Sequence, residues 1–301
     1  MSRVLRVAAV QAPPIDSAAP LDRFVGDVRG VLERHEGIDL VVYPELHLMG
    51  THGDDATQQQ QLTERAVDLG GDLVRGLGDL ARDSGIWLVP GSIAERRPDG
   101  GLHNTAVVFS PSGELVGYYR KIFPWRPFEQ FVPGDRFTVV DLPGIGRIGL
   151  SICYDAWFPE VSRHLAWMGA EVVVNVVKTT TPDRRQEVVL ARANSIVNQT
   201  FTVSVNTAGP VGMGCSLIVD PEGDPLEESM EPEARVLVAD LDLDLVTRVR
   251  EHGTEGTNRM WSQFDEADSA LELPLYGGRI VPERWAVQVP PTEATPAPAH
   301  D

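Results

Sequence analysis

Cysteine is nearly absent from this 301-residue chain, which holds only Cys153 and Cys215. Two isolated cysteines without CxxC spacing exclude a disulfide framework and a cysteine-built zinc site. Cations are scarce beside anions, 26 Lys and Arg against 44 Asp and Glu, for a formal net charge of −18. That balance argues against nucleic acid and anionic membranes as partners, because phosphate binding relies on clustered Lys and Arg. Long apolar runs are missing as well, and none approaches the ~18 residues of a membrane span. The opening "MSRVLRVAAVQAPP" carries an apolar run of strand length rather than a signal-peptide core. A cytoplasmic protein is the expectation.

Cofactor and metal signatures are equally thin. The seven histidines include no HExxH and no tight pair, and the glycine clusters lack the Gly-Lys-Ser/Thr of a phosphate loop. "GIGRIG", from Gly144 to Gly149, matches G-x-G-x-x-G but lies between two strand-like runs. A dinucleotide fingerprint must open a helix, so this one reads as a hairpin turn. Neither a metal nor an organic cofactor is expected.

Strand-like and helix-like segments do alternate. Apolar strands are expected at 5–12, 38–45, 86–95, 171–177, 200–206, 215–226 and 235–243, with hairpins over 103–121 and 137–153. Leu21, Phe24, Val25, Val28 and Leu32 fall at helical spacing. Leu62, Ala66, Leu69, Leu73, Leu77 and Leu80 do the same and predict one further amphipathic helix. Two more helices are expected, one from Pro159 and one over about 183–198. Mixed βα units and hairpins imply an α/β protein with partly antiparallel sheets and helices on the outer faces. The Pro/Ala/Thr-rich stretch 287–301 is expected to be a disordered tail.

Three polar residues each terminate an apolar strand: Glu45 after "LVVYP", Lys121 after "LVGYYR" and Cys153 after "IGLSI". Strand ends are where α/β proteins assemble their sites. Singly, each has a plain structural explanation: a loop carboxylate, a solvated strand end, a packed thiol. Jointly they make chemical sense. A thiol attacks as its thiolate and needs a base or a cation beside it. A partly buried carboxylate can take that proton. A lysine can then hold the oxyanion formed when sulfur adds to a C=O or C≡N carbon.

The chain resembles the nitrilase superfamily of carbon–nitrogen hydrolases. The resemblance rests on "VAAVQ" (7–11), "VVYPEL" (41–46), "HNTAVVFSPSGELVGYYRK" (103–121), "EQFVPGD" (129–135), "ICYDAWFPE" (152–160), "GAEVVVN" (169–175) and "SLIVDPEGDPL" (216–226). It implies a four-layer α-β-β-α sandwich. Glu45 is then the general base, Lys121 the stabiliser of the tetrahedral intermediate and Cys153 the nucleophile that forms a thioester. Glu129 matches the family's second glutamate, which positions the lysine and the substrate. The backbone N–H of Tyr154 is expected to share the oxyanion with Lys121, Asp155 to brace the turn, and Trp125 and Trp157 to line the substrate pocket. The hydrolase domain is expected over 1–265. A C-terminal arm over 266–286, crossing between the subunits of a homodimer or larger homo-oligomer, would follow it.

Tyr154-Asp155 after the nucleophile resembles the amidase branches, whereas nitrile-cleaving members carry Trp-Glu there. Cys215 stands where members often carry His, and reads as a core or interface cysteine. The expected reaction is hydrolysis of a small aliphatic amide to carboxylic acid and ammonia. The alternatives are an N-carbamoyl amine hydrolase, then a nitrilase, and from another class a catalytically silent interaction protein on the same scaffold. Arg126 and Lys178 are candidate receivers of a substrate carboxylate.

Overall fold

The computed structural model describes residues 3–273 apart from Ala18, together with Gly277 and Gly278. It divides into two compact units, one running to Met260 and one beginning at Trp261. In chain order the first unit contains β1 (Val4–Gln11), α1 (Pro20–Arg34), β2 (Leu40–Val42), α2 (Asp55–Arg65), α3 (Asp72–Ser84) and β3 (Trp87–Val89). There follow β4 (Ser92–Arg96), β5 (Leu102–Phe109), β6 (Leu115–Arg120), β7 (Val139–Leu142), β8 (Gly146–Ile152), α4 (Pro159–Trp167) and β9 (Val172–Val177). Then come α5 (Arg184–Asn198), β10 (Phe201–Asn206), β11 (Leu217–Val219), β12 (Pro225–Glu228), β13 (Arg235–Asp242) and α6 (Leu243–His252).

The strands form two sheets. One runs in the order β13-β1-β2-β3-β5-β4, with β6 also paired to β5, and the other in the order β12-β11-β10-β9-β8-β7. Each has a parallel centre, β1-β2-β3 and β8-β9-β10, flanked by antiparallel strands. Period-two alternation decides which side chain goes where. In β1, Leu5, Val7 and Ala9 point into the cluster shared with Ile148, Leu150, Ile152, Val174 and Val176 of the other sheet. Ala8 and Val10 point the other way, into a second cluster with Phe24, Val28 and Val31 of α1 and Leu77 and Ala81 of α3. Val161 and Leu165 of α4, and Ala191 of α5, cover the outer face of the second sheet. The layers are therefore helix, sheet, sheet, helix.

Three expectations need correction. The stretch 215–226 is not a single strand: β11 and β12 instead pair antiparallel across a turn closed by the Asp220 N–H bond to the Asp224 carbonyl. The leucine-rich stretch Leu62–Leu80 is not one helix. It breaks between α2 and α3, where Val67 bridges Glu95 in parallel and its N–H bonds the Ala94 carbonyl at 3.0 Å. Edge pairing to β4 and the Gly70-Gly71 pair win over helical periodicity there. Residues 86–95 likewise form two strands, β3 and β4, because the chain turns at Pro90-Gly91. "GIGRIG" closes the β7–β8 hairpin, with Gly144 at φ +79°. Of the arm expected over 266–286, the described part is 266–273 with Gly277 and Gly278, and the tail over 287–301 lies outside the described residues. Among the described residues no helix is long and apolar enough to cross a membrane.

Candidate active site

The parallel centres of both sheets deliver their C-terminal ends to one place. Glu45 follows β2, Cys153 follows β8 and Lys178-Thr179 follow β9; Lys121 arrives from the end of β6. Glu45 is clamped by its backbone: its N–H donates to the Val177 carbonyl at 3.3 Å, tying the two sheets together. The next residue, Leu46, adopts φ +51° and donates its N–H to Ser92 Oγ at 3.0 Å. Gly91 supports this turn from behind. It sits at φ +94°, and a Cβ there would lie 1.8 Å from the Pro44 carbonyl oxygen. Gly91→Ala should therefore cost about 2–3 kcal/mol, combining left-handed strain with a backbone clash. Thermal unfolding checks this, and a variant as stable as the parent would show that the Pro44 turn yields freely.

Lys121 is the hub. Its Nζ, with the side chain fully buried, donates to Glu45 Oε1 at 3.1 Å and to both oxygens of Glu129, at 2.9 and 2.8 Å. Asn104, buried in β5, adds a 2.7 Å bond to Glu45 Oε1. The Trp125 N–H adds one of 2.9 Å to Glu129 Oε2. Burial pulls against the Lys121 charge, but Glu45, Cys153 and Glu129 outweigh it and lift the ammonium well above its ordinary value. Burial also raises Glu45 above the usual carboxylate range, with Lys121 opposing. That direction suits a proton acceptor working nearer neutrality.

Cys153 occupies a tight turn, Cys153–Trp157, at φ +47°, a conformation that L residues rarely adopt. Its thiol is pushed up by burial first and by the Glu45 carboxylate second, with Lys121 opposing. The turn is held by Asp155, whose carboxylate accepts from Ile152 N–H at 3.0 Å, Tyr119 Oη at 2.9 Å and Phe123 N–H at 2.9 Å. Tyr119 and Phe123 flank Lys121, so one buried carboxylate fixes the lysine strand and the cysteine turn in mutual register.

A small cleft opens over Sγ, lined by Trp125, Glu129, Tyr154, Lys178 and Thr179 among others. Trp157 lies behind Tyr154, ring centroids 6.0 Å apart, and its indole N–H points to Glu187 at 3.4 Å. Arg126 is exposed, whereas Lys178 is largely buried, its Nζ 3.5 Å from Thr51 Oγ1. Cys215 adopts φ +56° and its thiol is directed to the Met230 carbonyl, 3.7 Å away.

Sequence reasoning passed over Asn104, Thr179 and Glu187. Thr179 stands second after the apolar run "VVVNVV", behind Lys178, so the strand-end signal fell on the lysine. Asn104 showed as a polar residue inside the apolar "LHNTAVVF".

A thiol in a strained turn, a buried ammonium held by two carboxylates and a cleft above them can add sulfur to a polarised carbon and hold the resulting oxyanion. The sequence model of the carbon-nitrogen hydrolase family matches residues 6–251. The chain belongs to that family. Among curated carbon–nitrogen hydrolases it is similar to the formamidase of Helicobacter acinonychis (strain Sheeba), 32% identical over 212 residues that cover 67% of this chain and 62% of that one. It thus spans about 62% of that relative's length. Saccharomyces cerevisiae Nit3, a member of branch 10 of the nitrilase superfamily, superposes with a TM-score of 0.74 at 25% identity, covering 83% of this chain and 94% of Nit3. A variant of the amidase from Nesterenkonia sp. AN1, in complex with butyramide, superposes at 0.69 with 29% identity, covering 83% and 95% of the two chains.

Proposed function

We propose that this carbon–nitrogen hydrolase cleaves a small linear amide to a carboxylic acid and ammonia through a thioester on Cys153. The observation that carries the reading is the buried Lys121 ammonium, hydrogen-bonded to Glu45 and Glu129 beside the cysteine turn. The amidase and formamidase among its relatives support an amide rather than a nitrile.

The substrate lies in the cleft between Trp125 and Tyr154, its carbonyl carbon over Sγ. Glu45 takes the thiol proton as the S–C bond forms. The oxyanion is held by Lys121 Nζ and the backbone N–H of Tyr154, donors already in place before charge develops. Collapse breaks the C–N bond, and Glu45 returns the proton to the departing ammonia. Glu45 then deprotonates a water that attacks the thioester, and the acid leaves with Sγ reprotonated. Glu129 holds Lys121 on the side away from Glu45. The proposal places Trp157 as support for Glu187 rather than against substrate, and includes assembly into a homodimer or larger homo-oligomer.

Ammonia release is to be measured over aliphatic amides including formamide and butyramide, N-carbamoyl amines, dicarboxylate monoamides and nitriles. Amides should turn over fastest, and hydroxylamine should divert the acyl group to a hydroxamate, as a thioester requires. Faster turnover of nitriles or carbamoyl amines, or no hydroxamate from a working substrate, overturns the reading.

A further inference from the structure

The Cys153 thiol has a hydrogen-bonding neighbour that the proposed reaction does not use. Thr179 Oγ1, at the end of β9, lies 3.7 Å from Sγ, and it is the hydrogen-bonding partner of that sulfur among the described residues. The same hydroxyl lies 2.9 and 2.7 Å from the two carboxylate oxygens of Glu187 on α5. A hydroxyl has one proton to give. Glu187 is ion-paired to Arg184 at 3.1 Å and acts as an acceptor, so the Thr179 proton goes to it. Towards sulfur, Thr179 can then only accept, and the S–H must be the donor. The resting thiol proton is thereby aimed at Thr179 and not at Glu45.

The surroundings fix this arrangement from behind. Thr179 N–H donates to Asn206 Oδ1 at 2.8 Å, and Asn206 Nδ2 returns a 3.2 Å bond to the Thr179 carbonyl. Arg184 is 1% exposed and also donates to Ser204 Oγ and to the Gly214 and Cys215 carbonyls. A buried ion pair carries a desolvation cost and is a poor device for stability alone. Here it ends on the hydroxyl beside the reactive sulfur.

We propose that Thr179 and Glu187 form a latch that holds the Cys153 proton away from Glu45 until attack begins. Both are positioning residues, and the proposal rests on Cys153 being the nucleophile. No proton is exchanged along the latch: Thr179 keeps its own, and on attack the S–H turns about Cβ–Sγ towards Glu45. The charged groups facing the sulfur are Glu45, Lys121 and Glu129 from the first sheet and its following loop, Glu187 from α5, and Lys178 beside Thr179. Of these, Glu187 is the one whose reach passes through Thr179.

The test is the pH dependence of iodoacetamide alkylation at Cys153, read by mass spectrometry on the full chain so that Cys215 is scored separately. Thr179→Val removes the acceptor of the S–H while leaving the Glu187–Arg184 pair intact. Its alkylation midpoint should fall by roughly half to one pH unit, the scale of one hydrogen bond. Thr179→Ser should restore it. Glu187→Gln, which also removes a negative charge near sulfur, should lower the midpoint at least as far. Should that variant fail to fold with Arg184 left unpaired, Thr179→Val carries the test. A midpoint unchanged or raised in Thr179→Val, or a Ser variant that behaves like Val, overturns the latch. Turnover surviving in Cys153→Ala would instead overturn the nucleophile assignment, and the two failures are read separately.

Discussion

Cys153→Ala should abolish amide turnover, lowering kcat by at least ~10⁴-fold, with the fold unchanged. The size follows from what is lost. Without sulfur no thioester can form, and water would have to attack the amide directly. Lys121 and the turn N–H groups would remain as oxyanion donors, so any residual rate would be theirs. The fold should survive because alanine keeps the Cβ and inherits the same φ of +47° that cysteine already tolerates. The turn itself is held by Asp155 through hydrogen bonds from Ile152, Tyr119 and Phe123, and none of those bonds involves the thiol. Ammonia release with thermal unfolding in parallel checks the pairing of effects. Cys215→Ser serves as control and should retain turnover, since that thiol is directed to the Met230 carbonyl. Turnover above ~1% of the parent in Cys153→Ala would exclude the covalent route.

The legibility of Glu45, Lys121 and Cys153 in the sequence has a physical cause. A parallel strand in a covered sheet is apolar along its length, so the first charged or reactive residue after it marks the edge where ligands gather. Glu45 and Cys153 each stand at such an edge, after β2 and β8. Lys121 instead follows β6, an antiparallel strand, and showed in the sequence as the lysine ending the run "LVGYYR". Glu187 stands at no strand end. It lies in "DRRQEVVLARANS", where charge is ordinary for a solvated helix face. Its burial comes from α5 docking onto β10 and β11, and from Arg184 being buried with it. Periodicity could not show that two charges of one helix turn inward together. The α2–α3 break was hidden for the opposite reason. Leu69 packs against the same core as Leu62 and Leu77 although it lies in the turn between α2 and α3, so the apolar spacing continues where the helix does not. Pattern reports which side chains reach the core, whereas Val67 pairing with β4 decides the backbone.

Lys121→Met should be the most destabilising of the substitutions considered, and its effect should depend on pH. The lysine side chain is fully buried and bridges Glu45, itself 2% exposed, to Glu129. Methionine fills comparable space but leaves two carboxylates facing each other without the cation. Removing one member of a buried ionic cluster costs about 3–5 kcal/mol, which for a chain of this size lowers Tm by roughly 10 °C. Glu45 already lies above the ordinary carboxylate range because burial outweighs Lys121, and losing the cation moves it further in that direction. In the variant the folded state then holds a proton that the unfolded chain releases. The variant's stability is therefore greatest below the unfolded carboxylate pKa, about 4.3, and falls as pH rises towards the raised folded value. The deficit relative to the parent should be smaller at pH ~5 than at pH ~8. Turnover should be lost at every pH, because protonating the carboxylates restores the fold but not the oxyanion donor, worth about 10²–10³ in kcat or more. Unfolding curves at the two pH values decide it: a deficit that is constant with pH would mean that methionine disrupts packing rather than charge balance.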